Sequence, residues 1–86
     1  VAHTLSSLRN IGPSSAALLK EAGIETVADL REMGAADAYG RLKFMFPDRV
    51  SLNMLYALNG ALADIPWRAI TPEMRQVWRR QAGLED

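Results

Sequence analysis

Residues 51–62 read Ser-Leu-Asn-Met-Leu-Tyr-Ala-Leu-Asn-Gly-Ala-Leu. Leu52, Leu55, Leu58 and Leu62 recur at the three- and four-residue spacing of one helix face, and Met54 and Ala61 widen it. So broad an apolar stripe predicts a central helix on which the rest of the chain packs. Ser51 stands at the N-cap position, where a hydroxyl can accept a hydrogen bond from an unpaired first-turn amide. Asn53 and Asn59 lie on the same helix and need hydrogen-bond partners wherever they are buried.

Beyond this stretch, Ile65-Pro66-Trp67 turns the chain. Thr71-Pro72-Glu73 then opens a last helix with a cap, a proline at the first helical position and an acid at the positive end of the dipole. Met74, Val77 and Trp78 are expected to face inward, and Gly83 to stop the helix. Before the stretch, Pro47 ends a helix expected over about Ala36–Phe44, because the residue preceding proline avoids the helical well. That helix would bury Tyr39, Leu42 and one of the two phenylalanines, Phe44 and Phe46, and its Gly40 costs about 1 kcal/mol against Ala. Thr26-Val27-Ala28-Asp29 resembles a capping box with Asp in place of Glu or Gln, and opens a helix carrying Val27, Leu30 and Met33 that Gly34 closes. A helix from Pro13 to Ala22 would bury Ala16, Leu18 and Leu19, with Gly23 taking the left-handed position after it. Thr4 can cap a first short helix, with Leu5 and Leu8 on one face, running to about Asn10 and broken by Ile11-Gly12-Pro13. No window alternates like a strand. The expectation is an all-α, compact bundle of five or six short helices forming one domain over residues 1–86.

Composition narrows the function classes. With 86 residues, 49% of them hydrophobic, and no cysteine, the chain must hold itself by packing and not by disulfides. It lacks a Cys/His cluster, so no structural metal or cofactor is expected. No run approaches the roughly 20 apolar residues of a membrane span, and Val1-Ala2-His3-Thr4 does not open a signal peptide. Ten basic and ten acidic residues give a net charge of zero, which leaves no surplus for neutralising phosphates. The charge is uneven: residues 1–40 carry three basic and five acidic side chains, residues 41–80 seven and three.

Residues 5–32 have the form of a helix-hairpin-helix unit. Gly12 permits a tight turn. The helix starting at Pro13 presents unpaired N–H groups and a positive dipole end, a small anion site that in this motif class grips a nucleic-acid phosphate. The candidate phosphate-binding residues are Arg9, Gly12, Ser14, Ser15 and Lys20. The same pattern also serves as a packing device, with Ser14 and Ser15 completing the first turn. Asn10 stands where such hairpins usually have glycine, Ser14 where Lys or Arg is common, and the unit is net negative. A second candidate is a basic patch of Arg41, Lys43, Arg68, Arg75, Arg79 and Arg80, with Arg49 beside it; its plainer reading is a solvated face with favourable charge at a helix C-terminus. Tyr56, Trp67 and Trp78 read as core, or else as anchors for a partner. His3 has no companion for catalysis, and no nucleophile–base pair, Gly-rich phosphate loop or paired carboxylate is present, so no enzymatic activity is expected.

Five segments in order carry a narrower resemblance: LRNIGPSSA at 8–16, GIETVADL at 23–30, GAADAYGRLK at 34–43, VSLNMLYALNGAL at 50–62, and a tryptophan next to Pro66. Over about residues 5–80 the chain resembles the C-terminal domain of the TfoX/Sxy competence-regulator family. The resemblance implies a bacterial, cytoplasmic domain linked to regulation of DNA uptake and natural transformation. Two kinds of partner follow from the reading as a whole: nucleic acid, weakly bound through phosphate, or another protein, including a second copy.

Overall fold

Helix punctuation recurs along this chain, and the structure, a computed structural model that describes Leu5, Leu8 and residues 10–84, turns it into α1 (Pro13–Glu21), α2 (Val27–Met33), α3 (Ala35–Met45), α4 (Leu52–Ala63) and α5 (Pro72–Gln81). One 3-10 turn, Trp67–Ala69, precedes α5, and no strand occurs among the described residues. The fold is all-α. The helix expected over residues 4–10 involves Thr4, Ser6, Ser7 and Arg9, which lie outside the described residues, so the first half of the hairpin unit is not described. Leu8 N donates to Leu5 O at 3.1 Å and Ile11 N to Leu8 O at 3.3 Å.

The α4 stripe is the centre, as its breadth requires. Leu55, Tyr56, Leu58, Gly60 and Ala61 are buried there, while Leu52, Met54 and Leu62 are half-buried against the same cluster. α3 and α5 both pack on α4, and α1 and α2 pack on α3. Leu19, Ile24, Leu30, Leu42, Leu55 and Leu58 are wholly enclosed. The Cα radius of gyration is 11.9 Å, against about 12 Å for a compact chain of this length.

Local chemistry sets most boundaries. The Thr26 hydroxyl accepts from Asp29 N at 3.0 Å, and the Asp29 carboxylate accepts from Thr26 N at 3.2 Å, so the shorter acid completes the capping box. Gly34, at φ +86°, closes α2 and also caps α3, joining two helices through one residue that a Cβ would strain. The Thr71 hydroxyl accepts from Met74 N at 3.1 Å and starts α5.

Three expectations need correction. Ser51 occupies the N-cap of α4, but its side chain makes no capping hydrogen bond; it lines a groove instead. Val77 is 47% exposed. α5 docks through Met74, Arg75, Trp78, Arg79 and Ala82, and at about 100° per residue Val77 falls off that face. Trp67 is 41% exposed, because it belongs to the 3-10 turn and not to a helix packed on the core. Of the phenylalanines, Phe46 packs against the core and Phe44 stands in solvent at 89% exposure.

Candidate nucleic-acid interface

The turn before α1 depends on a residue that tolerates positive φ. Gly12 does not supply it: its φ is −95° and ψ −180°, extended backbone open to any residue. Asn10 does, at φ +69°, which asparagine accepts better than most side chains. The Asn10 side chain also donates from Nδ2 to the Ile65 carbonyl at 3.0 Å. This one residue therefore sets the left-handed turn and ties it to the turn after α4.

From that turn α1 starts with unpaired donors. Pro13 has no N–H, Gly12 has no side chain to cap, and Ala16 N already donates to Gly12 O at 2.9 Å. The amides of Ser14 and Ser15 are therefore the first-turn donors without an intrahelical acceptor. Ser14 is exposed and Ser15 half-buried. Lys20 is exposed in the last turn. Six residues at 1.5 Å rise put it about 9 Å further along the axis, so it does not converge with the two serines. Arg9 lies outside the described residues.

Ser15 opens onto a groove of about 290 Å³ that four segments assemble. Asn10 and Ser15 form one wall and Trp67 another; Arg49 and Ser51 come from the loop between α3 and α4, and Asn53, Met54 and Ala57 from the first turns of α4. Among the described residues the lining holds one cation, Arg49, and no acid. Arg49 is placed by its backbone: Arg49 N and Val50 N donate to Phe46 O at 3.0 and 3.1 Å, and Lys43 Nζ donates to Pro47 O and Val50 O at 3.1 and 2.8 Å. Its guanidinium lies 5.7 Å from the Phe46 ring centroid.

The residues of the expected basic patch are largely occupied with packing. Lys43 braces the loop just described, and Arg41 Nη1 donates to Ala22 O at 3.1 Å, securing α3 to the end of α1. Arg75 lies over the Tyr56 ring at 5.4 Å, and Arg79 Nη1 donates to the Tyr56 hydroxyl at 2.8 Å. The Trp78 ring sits 6.4 Å from that of Tyr56. Tyr56 is thus the post on which α5 docks, and Tyr56 and Trp78 serve packing. Arg68 and Arg80 are exposed. Asn59 donates to Leu55 O at 3.0 Å within its own helix. Sequence reasoning reached Ser15 through its helix start. It did not assemble Arg49, Asn53 and Trp67 with it, since they meet only in the folded chain.

Among the described residues no group of three or more His, Cys, Asp or Glu side chains is placed to hold a metal ion, and no helix is long and apolar enough to cross a membrane. The family model for the TfoX C-terminal domain matches residues 1–82. No curated protein matches the chain. Two solved structures are similar to it along nearly their whole length. A crystal structure of an uncharacterized protein from Listeria monocytogenes, in a triclinic form, shares 30% identity over 96% of this chain and 98% of that one, with a TM-score of 0.78. A tetragonal form of a Listeria monocytogenes protein of unknown function shares 32% identity over 94% and 100%, with a TM-score of 0.81.

Proposed function

This chain belongs to the TfoX C-terminal domain family, and from that premise we propose that it is a non-enzymatic regulatory domain of the competence and DNA-transformation type, acting in the bacterial cytoplasm, that makes a weak contact to nucleic-acid phosphate. The observation that carries the reading is the start of α1. The Ser14 and Ser15 amides lack intrahelical acceptors, the helix dipole is positive there, and among the described residues the groove beside them holds Arg49 and no acid. The contact is weak because the chain has zero net charge and so no surplus of cations to neutralise phosphates.

Gly12→Asp tests this without disturbing the fold. A Cβ at Gly12 meets nothing within 4 Å, the backbone there is extended, and aspartate is a strong N-cap. Its carboxylate would take the amides and repel a phosphate. Titrated with labelled duplex at two salt concentrations, the wild type is expected to bind at low salt and to weaken as salt rises. The variant is expected to bind roughly tenfold more weakly while melting no lower. Equal binding by both proteins refutes α1 as the contact.

A second reading has its own observation. Phe44 and Met45 are adjacent and exposed at the end of α3, which suits a protein partner or a second copy. Binding through that pair would depend little on salt and would be indifferent to Gly12→Asp.

A further inference from the structure

We infer that the groove between α1, α4 and the Trp67 turn receives single-stranded nucleic acid, with one unpaired base stacked on Trp67 and the adjoining phosphate at Arg49. The inference rests on the nucleic-acid reading above and specifies the form of the ligand. Its starting point is the pairing of an exposed indole with a cation in one concavity. Trp67 is 41% exposed and lines the groove with Arg49, Asn53 and the Ser15 and Ser51 positions. An indole face takes any base by stacking, an arginine takes phosphate, and the neutral polar side chains can hydrogen-bond base edges or sugar.

Three features favour a single strand. The first is charge. A duplex grip is built from many phosphate contacts, and a chain of zero net charge has no surplus for them, Arg49 being the cation of the groove among the described residues. Stacking adds affinity without charge. The second is access: in a duplex the base faces are covered by their neighbours, so only an unpaired base can meet Trp67. The third is preorganisation. Ala69 N donates to Pro66 O at 2.8 Å and Ile70 N to Trp67 O at 3.2 Å, closing the 3-10 turn, while the buried Ile70 anchors it. The bond from Asn10 Nδ2 to Ile65 O ties this turn to the wall that carries Ser15. The aromatic is thus exposed but mounted on a fixed turn, which limits the ordering cost of stacking. A volume of about 290 Å³ is at the lower edge of the roughly 300–1,000 Å³ usual for ligand pockets, suited to one base and its phosphate.

The test uses a fluorescein-labelled oligothymidylate of about eight nucleotides, the same length of duplex, and thymidine monophosphate, against wild type, Trp67→Ala, Trp67→Phe and Arg49→Gln. Thermal melts confirm that each variant is folded. Wild type is expected to prefer the single strand over the duplex. Trp67→Ala should weaken single-strand binding roughly 5- to 150-fold, the range for loss of one stacked base, whereas Trp67→Phe keeps a stacking face and most of the affinity. Arg49→Gln should lower the slope of log affinity against log salt by about one phosphate's worth. Unchanged single-strand affinity in Trp67→Ala, or equal losses in Trp67→Ala and Trp67→Phe, overturns the stacking role. Tighter binding of the mononucleotide than of the oligomer overturns the assignment to a strand. If duplex binding persists and responds to Gly12→Asp while Trp67 has no effect, this inference fails and the phosphate reading stands. If neither nucleic acid binds at low salt, both fall.

Discussion

Leu58→Ala is expected to cost about 2–5 kcal/mol of folding free energy, the range for truncating an enclosed leucine. Leu58 has no exposed surface and sits on the helix that α3 and α5 both cover. The loss combines the transfer energy of the missing atoms with the cavity they leave, and packed neighbours on two sides limit collapse into it. A chain of 86 residues has about 4–13 kcal/mol of stability in all, so this substitution removes a large share. Urea unfolding of the variant should show a much lower midpoint with an unchanged slope. Leu52→Ala, at the half-buried edge of the same stripe, should lose clearly less. Equal, small losses at both positions would mean that α4 is not the centre of the core.

Gly60→Ala should destabilise the chain by about 1–3 kcal/mol, the cost of overpacking, although glycine to alanine inside a helix ordinarily stabilises by about 0.5–1 kcal/mol. The reversal has a local cause. A Cβ at Gly60 would stand 2.6 Å from Asn10 Nδ2, 3.1 Å from the Ile65 carbonyl oxygen and 3.2 Å from Ile70 Cδ1. The new methyl would displace the Asn10 side chain from its hydrogen bond to Ile65 and push on backbone and core at once. Gly40→Ala, inside α3 and open to solvent with nothing within 4 Å of its Cβ, should show the ordinary gain. Chemical denaturation of the two variants side by side reads the sign directly. A gain at both positions would contradict the close approach of α4 to the Asn10 turn.

The same contrast shows what could be read from the residues in order. The caps at Thr26 and Thr71, the stops at Gly23, Gly34 and Gly83, and the α4 stripe are local signals, and each marks its helix to within a residue or two. Asn10 was legible only as a departure from glycine. Its role needs Ile65, 55 residues away, and no periodicity connects the two. Trp67 differs for a related reason: at helical spacing with Leu and Met an indole reads as core, but the proline before it opens a 3-10 turn that carries it outward. The arginines of α5 were legible as charge and not as packing, because the ring they embrace lies on another helix. The groove is the extreme case, since four segments contribute to it and none announces it alone.

The central claim, that nucleic acid meets this domain in the groove beside the start of α1, is tested most directly by amide and indole chemical shifts of the ¹⁵N-labelled chain during titration with a short single-stranded oligonucleotide. The expected result is a contiguous set of concentration-dependent shifts at Ser14, Ser15, Arg49, Asn53 and the Trp67 indole, with Phe44, Met45 and the Trp78 indole unmoved. Shifts centred on Phe44 and Met45 or on α5, or none at low salt, would contradict it.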